Sequence, residues 1–179
     1  MMETVVGFIG EGAVYASYLK QAYRFAYHSP DPSTQVGCVI VNPTMGVVSG
    51  ASNSPPLAIS ISKINTPVDK ALYMEHAERN ALYRCAQSLM SSKDCHAYTT
   101  LPPCIECARG LIQSGISKVV SHKEMLDRYL EKASPTDTQR IEDGIRLLDE
   151  VGVPFILWSG TVFPLPTVSV RVKGSVWTP

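Results

Sequence analysis

Two short stretches restrict the fold of this chain more than any other feature: His76-Ala-Glu78, and Pro103-Cys104-Ile-Glu-Cys107, whose first cysteine lies 28 residues after the histidine. Imidazole and thiolate suit a zinc ion, and three protein ligands leave a fourth tetrahedral position open to water. Cys104 and Cys107, three residues apart, share a face if they sit in the first turn of a helix. The positive end of that helix favours their thiolate forms. His76 and Glu78 are two apart, which in mid-helix would separate them. At a helix N-terminus both side chains lean toward that end and can border one site beyond the first turn. The fold must therefore bring two helix N-termini together around one ion, a natural seat for an anion or hydroxide. Glu78 is expected to move protons there rather than bind the ion, since ligation would close the open position. A Cys-x-x-Cys pair alone also occurs in structural zinc knuckles and redox pairs. A structural site usually has four protein ligands. No fourth is evident, and the nearest spare thiols, Cys85 and Cys95, read as core residues.

The rest of the chain supplies a scaffold for such a site. Glu11 to Tyr27 reads as a helix with Val14, Tyr18, Ala22 and Phe25 near one face. The β-rich runs Gln35 to Val41 and Gly46 to Gly50 flank Asn42-Pro-Thr-Met45, a hairpin signal. Ala51 to Pro67 reads as a loop. Met74 to Met90 reads as a helix with the apolar stripe Ala77, Ala81, Leu82, Cys85 and Leu89, and with Arg79 and Tyr83 pointing elsewhere. A strand from Cys95 to Leu101 leads through Pro102-Pro103 into a helix from Cys104 to Ser114, closed by Gly115. Ile116 to Ser121, Thr138 to Glu150 and Val153 to Trp158 read as strand, helix and strand. The tail carries a β-like stretch, Thr167 to Val172. The strand–helix–strand run implies a parallel crossover, and the whole suggests one mixed sheet covered by helices on both faces.

Composition narrows the function classes. Lys+Arg and Asp+Glu number 16 each, so the formal charge is zero, unlike the basic footprint of a general nucleic-acid binder. Five cysteines, an odd number, argue for a reducing compartment and a metal site over a disulfide framework. No apolar run is long enough to span a membrane. Met1 to Gly12 lacks a basic region followed by a long apolar stretch, so no signal peptide is expected. His28, His96 and His122 lack partners at useful spacing and read as loop or surface residues. Tyr15, Tyr18, Tyr23 and Tyr27 read as packed or half-packed helix residues.

Four segments carry a family resemblance. Ser29-Pro-Asp-Pro-Ser-Thr-Gln-Val-Gly-Cys-Val-Ile-Val41, Glu75-His-Ala-Glu-Arg-Asn-Ala-Leu82, Tyr98 to Ala108, and Ile112-Gln-Ser-Gly-Ile-Ser-Lys-Val119 resemble deoxycytidylate deaminases over roughly residues 10 to 158. The His-x-Glu and Pro-Cys-x-x-Cys pattern resembles the signature of zinc deaminases. The resemblance implies a three-layer α-β-α cytidine deaminase-like fold with a central mixed five-stranded sheet. It implies a deaminase domain over residues 1–160, with 161–179 a tail of unknown role. It implies one catalytic zinc ion (Zn2+) on His76, Cys104 and Cys107, and hydrolysis of dCMP to dUMP and ammonia through Glu78. Asn53 would contact the sugar, the Ala77 N–H the pyrimidine carbonyl, the Pro102 C=O the exocyclic amine, and Lys70 the phosphate. Lys70 and Tyr73 together resemble a Lys and a Tyr upstream of the family's His. A small deoxyribonucleotide partner and homo-oligomers, hexamers among them, also follow from the resemblance, while no membrane and a cytoplasmic location are expected from the apolar runs and the cysteines. His76 at the first ligand position argues against the free-cytidine deaminases.

The departures are Ala51-Ser-Asn-Ser54 where the family commonly has Gly-Tyr-Asn-Gly, and an aromatic after the fourth strand whose candidates are Met125, Leu126 and Tyr129. The alternatives are deamination of a modified cytosine nucleotide, editing of a base in tRNA or single-stranded DNA, and a zinc-stabilised interaction protein without activity. Neutral charge speaks against nucleic acid. Glu78 speaks against the last, because a structural site does not need it.

Overall fold

The structure is a computed structural model that describes residues 10–163 and 168–179 and the backbone of 2–6. Its elements are β1 (Met2–Val6), α1 (Glu11–Tyr27), β2 (Gly37–Asn42), β3 (Gly46–Ser52), α2 (Pro67–Tyr73), α3 (Ala77–Gln87), β4 (His96–Thr99), α4 (Ile105–Gln113), β5 (Lys118–His122), α5 (Lys123–Leu130), α6 (Pro135–Glu150), β6 (Phe155–Ser159), β7 (Val170–Val172) and β8 (Ser175–Trp177). The main sheet runs β1-β6-β5-β4-β2-β3. β1, β6, β5 and β4 are parallel, and β2 is antiparallel to both β4 and β3. The mixed sheet of the sequence reading is thus present, with β1 added as a sixth strand at its edge.

Side chains alternate across a strand, and that alternation divides the core. Val39, Val41, Tyr98, Val120, Ile156 and Trp158 face α1, where Leu19, Ala22, Tyr23 and Ala26 meet them. Cys38, Ile40, Ala97, Val119, Phe155 and Leu157 face the other way, onto α3, α4 and α6 through Ala81, Cys85, Leu111 and Leu148. Two helical layers on one sheet give the α-β-α sandwich. α1 lies so close to β2 that a Cβ on Gly37 would run into the carbonyl oxygen of Ala22, so only glycine fits there.

Several sequence expectations are corrected. The α1 span is as read, but its buried face is Tyr15, Leu19, Ala22, Tyr23 and Ala26, while Val14 and Tyr27 are exposed. An alanine-sized residue at 26 and a tyrosine at 15 carry the packing that an apolar count gave to Val14. α3 starts at Ala77 and ends at Gln87; Leu89 lies past its end at positive φ and is exposed. α2 occupies part of the segment before α3, held by a capping box between Thr66 and Asp69 with Pro67 in the first turn. His122 is fully buried rather than on the surface. Its Nδ1 lies 2.7 Å from Tyr23 Oη, its Nε2 lies 2.8 Å from Gly160 O, and its ring stacks between Trp158 and Trp177.

The described residues of the tail are packed against the domain. Val162, Phe163, Val170 and Val172 are buried in the α1-side core, and β7 pairs with β8 in a hairpin. Of the β-like stretch read from sequence, Thr167 lies outside the described residues.

Candidate active site

α3 and α4 begin at the same place, and the ligand side chains stand at their caps. Residue 75 is pinned beside Ser54 by a β-bridge, with Ser54 N donating to Glu75 O and Glu75 N to Ser54 O, both at 3.1 Å. The chain then turns into α3 with His76 as an extended N-cap. Pro102 and Pro103 deliver Cys104 as the extended N-cap of α4, and Cys107 follows in the first turn. Neither cap makes a side-chain hydrogen bond to its helix, so both side chains are free to converge.

They converge on one point. The His76 Nδ1 lies 3.5 Å from Cys104 Sγ and 3.4 Å from Cys107 Sγ, and all three ligand atoms fall within 4.8 Å of one another. Tetrahedral zinc with bonds of about 2.3 Å to sulfur and about 2.1 Å to nitrogen sets nitrogen and sulfur about 3.6 Å apart. The residues therefore fit zinc in number, chemistry and spacing. Hydrogen bonding from Cys107 together with His76 pulls Cys104 down to about 2, while the same contact and burial push Cys107 well up.

Beside the cluster stands Glu78, 3% exposed. It accepts from Thr99 Oγ1 at 3.1 Å, and its other oxygen lies 3.5 Å from Cys107 Sγ. Burial raises its carboxyl above its ordinary value, the direction that suits a group that takes up and releases protons.

Arg79 is a residue that sequence reasoning missed. It donates through Nη1 to Cys107 Sγ at 3.3 Å and through Nε to Glu75 Oε1 at 2.7 Å. Tyr83 Oη donates to the second oxygen of Glu75 at 3.2 Å. Burial alone would raise Glu75, but Arg79 and the His76 N–H hold it below its usual value. The guanidinium thus ties the thiol of a candidate metal ligand to a carboxylate, an outer contact of the kind that fixes ligand orientation. The available signal was position: residue 79 is one helical turn from residue 76 and faces the same way.

A cavity of about 420 Å³ opens over the cluster. Of the eight site residues expected from sequence, Asn53, Lys70, His76, Ala77, Glu78, Pro102 and Cys104 all line it. Cys107 sits behind them, fully buried. Ala77 is the first residue of α3, so its N–H has no partner within the helix. Asn53 is fully engaged within the protein. Its Nδ2 donates to Asp31 Oδ2 and to Thr34 O, both at 2.9 Å, and its Oδ1 accepts from Ser29 Oγ at 2.7 Å and Val36 N at 2.8 Å. Lys70 Nζ pairs with Asp31 at 2.7 Å. Of the three candidates after β5, Tyr129 reaches the cavity and Met125 is buried in the core. α6 closes the site from behind: a Cβ on Gly144 would clash with Pro103 O and lie 2.9 Å from the backbone carbon of Cys104.

The family model described as "Cytidine and deoxycytidylate deaminase zinc-binding region" matches residues 14–123, which hold the whole cluster. The chain belongs to this family. Among similar proteins, the probable deoxycytidylate deaminase of Caenorhabditis elegans is 38% identical over 117 residues, covering 62% of this chain and 57% of that protein. The probable deoxycytidylate deaminase of Drosophila melanogaster is 34% identical over 142 residues, covering 73% of this chain and 64% of that protein. The chain thus spans less than two thirds of the length of these two deaminases. The dCMP deaminase of cyanophage S-TIM5 in its apo form shares the fold, with a TM-score of 0.61 at 22% identity over 81% of this chain and 97% of that one. The deaminase zinc-binding region therefore coincides with the place where α3 and α4 meet. Among the described residues, no helix is long and apolar enough to cross a membrane.

Proposed function

We propose that this protein is a zinc-dependent hydrolase that converts dCMP to dUMP and ammonia. The observation that carries this reading is Glu78: a buried carboxylate lining a cavity, beside three side chains that could hold a metal ion, where a purely structural site would need no acid. The names of the two relatives supply the nucleotide.

His76, Cys104 and Cys107 would hold a zinc ion, which would supply Lewis acidity to activate the water. The chain's own groups do the rest. Glu78 accepts a proton from the attacking water and gives it to N3 of the pyrimidine as the oxygen bonds to C4. Glu78 then carries the remaining hydroxyl proton to the amino group. The C4–N bond breaks, ammonia leaves, and the carbonyl of dUMP is formed. Thr99, donating to Glu78, holds the carboxylate toward the cavity. In this reading the Ala77 N–H takes the pyrimidine carbonyl and the Pro102 C=O takes the exocyclic amine. Asn53 builds the wall against the sugar, and Lys70 stands on the phosphate side. The protein works in the cytoplasm as a homo-oligomer; its free thiols suit a reducing compartment.

The test is ammonia release by the zinc-loaded protein from dCMP, dCTP, deoxycytidine, CMP, methylated dCMP and a short DNA strand. Preferential turnover of dCMP supports the reading. Turnover of another member alone moves the substrate, and turnover of none with zinc bound and the fold intact removes the activity.

A further inference from the structure

The last residues of the chain lie beyond the stretch that the family model matches, yet they reach the cavity. β7 and β8 are joined by Lys173-Gly174, with φ of 47° and 82°. Positive φ at both central positions is the conformation of a type I′ hairpin turn, where asparagine or glycine is the usual choice. A lysine there is strained, and such strain persists where the surrounding structure imposes it. The surroundings do so here. Arg171 and Gln35 exchange two hydrogen bonds, Gln35 N to Arg171 O at 2.8 Å and Arg171 N to Gln35 Oε1 at 2.9 Å. Lys173 N donates to Thr34 Oγ1 at 3.2 Å, and Gly174 N to Ser33 O at 2.8 Å. On the hairpin's other side Lys132 Nζ donates to Ser175 Oγ at 2.9 Å. The turn is therefore bolted to the loop that carries the partners of Asn53.

Its side chain lines the cavity. The ammonium of Lys173 lies 2.8 Å from Asp137 Oδ2 and 4.3 Å from the centre of the Tyr129 ring, and the side chain is only 19% exposed. An ammonium has three donors. Asp137 takes one and the Tyr129 face attracts the charge, which leaves donor capacity for an anion. Lys70 is less available for that role: its partner Asp31 is 1% exposed, and drawing the cation away would leave a buried carboxylate uncompensated.

We propose that Lys173 is a specificity-determining residue that binds the 5′-phosphate of the nucleotide, held in position by Asp137 and Tyr129, and that the C-terminal hairpin exists to deliver it. This rests on the nucleotide reading above. The hairpin thereby separates a nucleoside monophosphate from the free nucleoside.

The test compares Lys173→Asn and Lys173→Arg with the wild type in zinc-loaded form. Asparagine tolerates positive φ, so the turn survives without the cation; thermal melting checks this. Loss of a charge-assisted contact predicts a fall of roughly 10- to 100-fold in kcat/KM for dCMP, carried by KM. Turnover of deoxycytidine should be unchanged, and K173R should restore most of the dCMP value. Equal loss on both substrates, or no loss on either, overturns the proposal. Equilibrium titration with dCMP separates the two claims. Binding that depends on Lys173 without turnover removes the reaction and keeps this inference. Turnover or binding that ignores Lys173 does the reverse, and absence of any dCMP binding overturns both.

Discussion

Asn53 offers the sharpest test of how the cavity wall is held. Its amide uses both donors and both acceptor sides inside the protein, at 8% exposure. Asn53→Asp keeps the shape and the two accepted bonds from Ser29 and Val36. It removes the two donated ones and sets a carboxylate against Asp31 Oδ2 and Thr34 O. Each buried acceptor left without a donor costs about 1–3 kcal/mol. Allowing for Lys70, which already compensates Asp31, the substitution should cost about 2–4 kcal/mol. The introduced carboxyl can recover one donor by taking a proton, and burial beside Asp31 raises its folded pKa above the unfolded value of about 3.9. A folded state that binds the extra proton loses stability as pH rises through the folded pKa. The deficit should therefore be larger near pH 8 than near pH 5. Urea unfolding of wild type and N53D at both pH values measures it. A difference under about 0.5 kcal/mol at both, or a smaller deficit at the higher pH, would refute the reasoning.

Three further outcomes follow from the geometry. Gly144→Ala must push the Pro103–Cys104 backbone away from α6; it should cost about 1–3 kcal/mol and weaken zinc binding in chelator competition, and unchanged zinc affinity would refute the contact. Arg79→Gln cuts the link between Glu75 and Cys107 and should lower zinc affinity about 10- to 100-fold, again by chelator competition, with the melting temperature as the control for folding. Burial alone would raise Glu124, but the close contact with His122 and a hydrogen bond from Ser159 hold it down to about 2. Its folded pKa is depressed, so its contribution is present above the unfolded value of about 4.3 and is lost as pH falls toward 2; tryptophan fluorescence should show E124Q with a shallower loss of stability across that window.

Much of the site was legible because metal chemistry restricts residue type and spacing together. His76, Cys104 and Cys107 meet at two helix starts, and the proline pair and Gly115 marked the ends of α4. The β2–β3 hairpin was legible from its turn residues. What escaped depends on distant partners. Among the described residues β1 pairs with β6 alone, some 150 positions away in sequence, and nothing local in Met2–Val6 announces that. The buried face of α1 was misread because tyrosines carry a polar end on an apolar body, and Tyr15 and Tyr23 pack where Val14 does not. α2 did carry a signal, Thr66-Pro-Val-Asp69, a capping pattern with proline in the first turn. Lys173 was beyond reach, since a surface-type lysine in a short tail looks like any solvated charge until the hairpin folds back onto residues 33–35.

The central claim is that Glu78 moves protons and does not hold the metal. The most direct measurement is Glu78→Gln, with zinc content and ammonia release from dCMP determined on the same preparation. The account predicts one zinc per chain, as in the wild type, and turnover reduced by several orders of magnitude. Loss of zinc from E78Q, or turnover close to that of the wild type, would contradict it.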